Sequence, residues 1–215
     1  MKSSILVTGG AGYIGSHTAV SLANAGFRVI LLDNLSNSDI NAVTGIRSLI
    51  NSEVPFYEVD CRDKDGLIEV FRKEKEKGYF INGVIHFAAL KSVGESVDNP
   101  DLYKDNNIVG TERLLEVMHE FDVGNLVFSS SCTVYGEPEV VPVDESAQFL
   151  EAESPYGFTK QACERLIVNH SKLYTEFNSI ILRYFNPIGA HPSSIIGESP
   201  SGVPNNLIPY LCQSV

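Results

Sequence analysis

The chain has 215 residues, 43% of them hydrophobic, which is enough for one well-formed core of ordinary globular composition. A net charge of −11, with no basic cluster beyond the mixed "RKEKEK" of Arg72–Lys77, argues against a nucleic-acid partner and reads that run as the solvated end of a helix. No apolar run approaches the ~18 residues of a membrane span, the start "SSILVTGGAG" breaks on glycine too early for a signal peptide, and Cys61, Cys132, Cys163 and Cys212 are dispersed without C-x-x-C spacing; reduced thiols in the cytoplasm are expected, with no disulfide and no metal.

In chain order, "SILVT" (4–8) reads as a strand and Tyr13–Ala25 as a helix closed by Gly26. Between them "VTGGAGYIGSH" places Gly9, Gly12 and Gly15 as G-x-x-G-x-x-G at a strand-to-helix junction. Close backbone approach and bare amides at a helix N-terminus suit a pyrophosphate there. "RVILLD" (28–33) is the second strand, closed by Asp33. A carboxylate at that place can take both hydroxyls of an adenosine ribose and repels a 2′-phosphate. Asn34 and Leu35 bring no arginine to hold one, so NAD is favoured over NADP. A helix near 39–50 follows, then "VPFYEVD" (54–60), whose Asp60 can accept from an adenine amine, then a helix near 63–77. "GVIHFAA" (83–89) carries His86 as a core histidine, and Lys91 lies just past the strand, where an ammonium can meet nicotinamide or a substrate phosphate. One helix is expected from about Pro100 to Phe121, then "NLVFSSS" (125–131), a helix over about 155–173, and "NSIILRYFN" (178–186). Six nearly all-apolar strands alternating with helices make an α/β fold, a doubly wound parallel sheet.

The helix at 155–173 opens with "SPYGFTK": Ser154 suits a cap, Pro155 a first turn, and Tyr156 and Lys160 fall four apart on one face. A free tyrosine ionises near 10, so a base near pH 7 asks for a drop of about three units, roughly 4 kcal/mol. An adjacent ammonium and a cationic nicotinamide can supply it. Ser131, at the C-terminal end of the fifth strand, can relay the substrate proton, because a hydroxyl both donates and accepts. Asn186 and Asn206 are neutral donors suited to phosphate oxygens.

Taken together, "TGGAGYIGSH", "DNLSNS", "HFAALKSVGES", "DNN", "SSSCTVYG", "SPYGFTK", "LRYFNPIGAHP" and "PNNLIPY" resemble the UDP-galactose (UDP-glucose) 4-epimerases of the extended short-chain dehydrogenase/reductase superfamily. The resemblance runs the length of the chain and implies an isomerase of galactose metabolism, a homodimer when full length. It implies catalysis by Tyr156, Lys160 and Ser131. Cofactor contacts would fall on Gly9, Gly12, Tyr13, Ile14 and Gly15, and on Asp33, Asn34, Leu35, Ser36, Asn37 and Ser38. Further contacts would come from Asp60 and Cys61, from Phe87, Ala88, Ala89, Leu90 and Lys91, and from Asn106, Ser131, Tyr156, Lys160 and Phe185. The UDP-sugar would meet Lys91, Ser131, Tyr156, Asn186, Asn206 and Leu207. Phe158 departs from the polar residue the family pattern carries after Tyr-Gly.

The same resemblance implies a domain over 1–190 that binds NAD and, over 191–215, the beginning of a UDP-sugar-binding region. The uracil-binding residues, the pyrophosphate-binding arginines and a last strand would come later, so activity of these 215 residues alone is not expected. The Ser-, Pro- and Gly-rich segment from His191 carries too few apolar residues to pack by itself. Two other readings stay open. One is a different NAD-dependent sugar-nucleotide epimerase or dehydratase, although "SCTVYGEP" lacks the Asp-Glu a dehydratase would show; the other is a non-catalytic NAD-binding fragment.

Overall fold

A computed structural model describes residues 2–199 and 206–214; Pro204 and Asn205 of "PNNLIPY" lie outside them. Six parallel strands form one sheet in the order β3-β2-β1-β4-β5-β6: β1 Lys2–Thr8, β2 Val29–Asp33, β3 Phe56–Glu58, β4 Tyr79–His86, β5 Asn125–Ser131 and β6 Asn178–Tyr184. The chain starts in the middle, winds outward to β3, then returns across β1 to build the other half. This leaves a crevice beyond the C-terminal ends of β1 and β4, where the winding reverses.

Alternate side chains of each strand go to opposite faces. Leu6, Ile30 and Leu32 join the core under α3 (Lys64–Glu76), α6 (Gly110–Glu120) and α7 (Pro155–Leu173), while Val7, Val29 and Leu31 join the core under α1 (Tyr13–Asn24) and α2 (Ile40–Ile50). Because both faces are covered, the middle of these strands is apolar at consecutive positions, Ile5–Val7 in β1 and Val29–Leu32 in β2. At β6 the covering is one-sided: Ile181 packs inward, whereas Ile180 and Leu182 stand open.

Beyond shifts of a residue or two at strand ends, four elements differ from the sequence expectation, the first being the fourth strand, which runs Tyr79–His86 rather than 83–89. The third strand is only Phe56–Glu58, because Pro55 has no N–H to donate on one side and Asp60 is drawn into side-chain bonds on the other. The expected single helix at 100–121 is α5 (Pro100–Tyr103), a π-helical turn (Lys104–Val109) and α6 in succession, preceded by a separate α4 (Val93–Asp98). The segment after His191 does pack: Ile196 is buried in the core under α2, against Gly45.

His86 is the core histidine expected, 2% exposed, and its ring lies between two threonines. Thr111 gives its hydroxyl proton to the Asn107 carbonyl, so it accepts from His86 Nε2 at 3.1 Å, and Thr8 donates to Nδ1 at 2.6 Å. Both nitrogens are satisfied by a neutral ring, and burial holds its pKa down, from 6.5 to about 3. Between those pH values the unfolded chain binds a proton that the folded chain refuses, so stability falls as pH falls. The expected contribution is about 1.4 kcal/mol per pH unit. His86→Asn should be less stable at pH 7, yet lose stability more slowly than the parent between pH 6 and 4. Urea titrations at each pH check this, and parallel curves would remove the assignment.

Candidate active site

The glycine turn is held at the limit of backbone contact. Gly9 has φ +64°, and a Cβ there would stand 2.7 Å from Ala88 N; a Cβ on Gly15 would stand 2.1 Å from Gly9 O. Gly12 caps α1 with no side chain on the first amides, and no acid lies in the first turn. The N-terminal end of α1 therefore presents bare N–H groups toward the crevice, with Tyr13 and Ile14 as its first residues. Gly10, not among the expected site glycines, is as tightly confined, with its Cβ position 2.9 Å from Val7 O.

Asp33, 7% exposed, closes this turn from β2. Its Oδ2 accepts from Ala11 N at 3.0 Å, and its Oδ1 accepts from Leu35 N at 3.0 Å and Ser38 Oγ at 2.8 Å. Leu35 takes a left-handed φ of +56°, and Asn34 turns toward Asp60, donating to Oδ2 at 2.8 Å. Asn34 Oδ1 in turn accepts from Ser36. Asp60 is gripped by Arg62, Nε to Oδ1 at 2.9 Å and Nη2 to Oδ2 at 2.8 Å, which holds its carboxyl far below the usual range. Arg62 also donates to Asp105 at 2.6 Å, so the arginine that folding brings near the Asp33 loop has its charge already engaged. Cys61 is buried, and burial pushes its thiol up to about 12, so it stays protonated.

The loop after β4, from Phe87 through Ala88, Ala89 and Leu90 to Lys91, forms the opposite wall. Its anchor is Asn107, a residue the sequence did not single out. Asn107 accepts from Leu90 N at 2.9 Å, donates to Leu90 O at 3.0 Å, and donates to Thr159 Oγ1 of α7 at 3.1 Å. The expected Asn106 sits beside it, half-buried, donating to Asn107 Oδ1. A π-helical turn at this place points Asn107 sideways into the wall; its signal in the sequence is only the triplet "DNN".

Tyr156, Lys160 and Ser131 come together across this wall, all three buried. Ser154 caps α7 by accepting from Gly157 N at 3.1 Å, which starts the helix so that Tyr156 and Lys160 face β5. Lys160 Nζ donates to Ser129 O at 2.8 Å and lies 5.8 Å from the Tyr156 ring centre. Burial lowers its pKa to about 8. Burial likewise pushes the Tyr156 phenol up, and a hydrogen bond with Ser131 pulls it down. Thr133 steadies Ser131 Oγ through its hydroxyl at 3.0 Å. Tyr103, also absent from the sequence expectation, meets Tyr156 edge-on at 6.5 Å.

The residues expected to meet a sugar nucleotide are spread along the rim. Lys91 Nζ pairs with Glu198 Oε1 at 3.3 Å, and Asn206 Nδ2 donates to the same oxygen at 2.9 Å. Phe185, Asn186 and Leu207, the last at the start of α8 (Leu207–Gln213), are exposed. Phe158 is exposed too, on the side of α7 away from Tyr156. No group of three or more His, Cys, Asp or Glu could hold a metal among the described residues. No helix among them is long and apolar enough to cross a membrane.

Comparison with known proteins follows the same lines. The model of the "NAD dependent epimerase/dehydratase family" matches residues 5–215. UDP-glucose 4-epimerase of Neisseria meningitidis serogroup A is 49% identical over 97% of this chain and 60% of its own length; that of Bacillus subtilis is 48% identical with the same coverage. A crystal structure of UDP-glucose 4-epimerase from Bifidobacterium longum in complex with NAD+ and UDP superposes with a TM-score of 0.93 at 41% identity, covering 98% of this chain and 61% of that one. The chain thus spans about 60% of the length of the curated relatives it matches.

The backbone contact at Gly15 yields a direct expectation. Gly15→Ala should cost at least about 1–3 kcal/mol, since the added methyl meets a carbonyl oxygen that cannot move without opening the turn. Gly94→Ala, where a Cβ meets nothing within 4 Å, should be neutral or slightly stabilising. Thermal melts of the two variants beside the parent decide it.

Proposed function

The chain belongs to the NAD dependent epimerase/dehydratase family, and from that premise we propose that it is part of an NAD-dependent enzyme interconverting UDP-galactose and UDP-glucose. One observation carries the reading: a buried Tyr156–Lys160–Ser131 group stands at the C-terminal edge of a doubly wound sheet, facing a glycine turn that only bare backbone can fill. The dinucleotide fits what is present. The pyrophosphate is assigned to the α1 N-terminus (Gly12, Tyr13, Ile14), the adenosine ribose to Asp33 and its loop, the adenine side to Asp60 and Cys61, and the nicotinamide half to the Phe87–Lys91 wall, Asn106, Lys160 and Phe185. NAD when bound accepts a hydride from the sugar C4 and returns it to the other face.

Tyr156 takes the C4 hydroxyl proton, directly or through Ser131, and returns it at the end. In the free protein burial keeps the phenol protonated. The base is therefore made only when positive charge enters the crevice beside it, which couples proton removal to an oxidised cofactor. Lys160 stays mostly ammonium at pH 7 and holds the nicotinamide ribose. The 4-keto sugar turns over between the two hydride transfers. Since nothing is oxidised overall, the cofactor need not leave. No Asp-Glu pair follows directly on Ser131 in "SCTVYGEP", which favours epimerisation over dehydration.

Residues 1–190 are assigned to NAD binding and 191–215 to the start of the sugar-nucleotide region, where Lys91, Asn186, Asn206 and Leu207 meet the UDP. We place the enzyme in the cytoplasm, in galactose metabolism, and as a homodimer. Support for the dimer comes from exposed Val93, Val97, Leu102 and Phe158 on the contacting elements α4, α5 and α7.

The test is conversion of UDP-galactose to UDP-glucose by the full-length protein without added NAD. Tyr156→Phe should leave NAD bound and cut turnover by about a hundredfold or more, with Ser131→Ala less damaging. Near-normal turnover in Tyr156→Phe would require another base. NAD should bind at least about tenfold tighter than NADP, ~1.4 kcal/mol, because Asp33 meets the ribose. Equal affinities by calorimetry would take that role from Asp33.

A further inference from the structure

On α7 the spacing that joins Tyr156 to Lys160 continues one turn to Glu164, so a phenol, an ammonium and a carboxylate lie in file on one buried face. Glu164 is 3% exposed and firmly held. Its Oε1 accepts from Ser130 Oγ at 2.5 Å and from Arg183 Nε at 3.1 Å, and its Oε2 accepts from Arg183 Nη2 at 2.9 Å. Arg183, on β6, is fixed in turn over the rings of Tyr135 at 4.8 Å and Phe149 at 5.1 Å. Ser130, which grips the carboxylate, is the next residue after Ser129, whose carbonyl takes the Lys160 ammonium at 2.8 Å. Charge and counter-charge are therefore pinned to consecutive residues of β5.

A buried ammonium with one hydrogen-bond acceptor tends to shed its proton. No carboxylate forms a direct ion pair with Lys160 among the described residues, so its charge depends on what acts through space. From α7 it faces Tyr156, Cys163 and Glu164; from β4, His86; from β5, the Phe128 ring; and β6 brings Arg183 behind Glu164. His86 is neutral down to about pH 3, and burial raises the Cys163 thiol so that it too is neutral. Glu164, paired with Arg183 at 2.9 Å, is the carboxylate in this set, and its field favours the ammonium.

We propose that Glu164, clamped by Arg183 and Ser130, is a positioning residue that keeps Lys160 charged beside Tyr156. Its catalytic meaning rests on the epimerase reading, whereas the electrostatic claim belongs to the folded chain alone. Arg183 then serves the site at one remove, by holding the carboxylate in place rather than by touching any ligand.

The experiment is an NMR titration of Lys160 in ¹³C,¹⁵N-lysine-labelled protein, with the signal assigned by Lys160→Arg. The parent should titrate near 8. Glu164→Gln, which keeps size and loses charge, should lower the midpoint by at least about half a unit, a threefold loss of proton affinity. Glu164→Asp, which keeps the charge, should hold the midpoint close to the parent. The double variant Glu164→Gln/Arg183→Gln leaves no unpaired guanidinium in the core, and decides the matter if the single variant does not fold; it too should titrate below the parent. An unmoved midpoint in the folded Gln variants, or an equal shift in the Asp variant, would reduce Glu164 to a packing role. NAD titration of the parent at pH 7 separates the two claims, since failure to bind overturns the functional reading and leaves the Lys160 result standing.

Discussion

Everything at the crevice depends on how closely three stretches of backbone approach one another. Gly9 lies against the Phe87–Ala88 peptide, and Gly15 lies against Gly9, at separations no side chain can share. That contact brings the start of α1 up to the loop after β4 and leaves the helix amides uncovered. Asp33 locks the arrangement from the neighbouring strand by accepting from Ala11 N, inside the turn itself. One carboxylate thus ties β2 to the glycine turn while it stands where a ribose can reach it. Its loss would loosen the turn as well as the proposed ribose contact, so on that reading cofactor preference and local stability share one residue.

The other wall rests on a chain of buried polar groups. Thr8, His86, Thr111, Asn107 and Thr159 link β1, β4, the π-helical turn, α6 and α7 in unbroken hydrogen bonds. Buried polar groups of this kind are costly unless all are satisfied, and when satisfied they admit a single arrangement. Tyr156 and Lys160 lie on the same helix as Thr159, so the network under the floor also sets where the phenol and the ammonium stand. A neutral His86 fits this purpose: both its nitrogens are used, and a second cation beside Lys160 would expel the proton that matters.

Legibility in the sequence followed the range of the interactions. All six strands could be read, because burial between layers of helices makes short runs of consecutive apolar residues. The glycine turn, Asp33, and the four-residue step from Tyr156 to Lys160 could be read because each is local. Asn107 could not, since its importance comes from Leu90 and Thr159, far away in the chain, and the same contacts interrupt a helix whose composition looked continuous. Ile196 was lost in a segment rich in Ser, Pro and Gly, yet one well-placed side chain docks that segment on α2 at Gly45. Glu164 stood in plain view one turn beyond Lys160. What hid its importance was Arg183, which approaches only once β6 has paired with β5.

On the proposed function, a chain of net charge −11 would hold the two phosphates of a dinucleotide and then the two of a sugar nucleotide, which poses an electrostatic difficulty. Its arginines do not resolve it. Arg62 is held by Asp60 and Asp105, Arg28 by Glu74 and Arg183 by Glu164, and at the rim Lys91 is matched by Glu198. What stays uncommitted is the N-terminal end of α1, where peptide N–H groups and their aligned dipoles attract an anion without a mobile counter-charge. Such donors are fixed by the glycine contacts and carry no side-chain entropy to lose. They bind at close range, where added salt screens them little, so an acidic surface around the crevice is compatible with a tightly held dinucleotide. On the proposed function the dinucleotide's phosphates are therefore left to backbone geometry, Asp33 and Lys160 take the riboses, and the other charged side chains hold the walls in place.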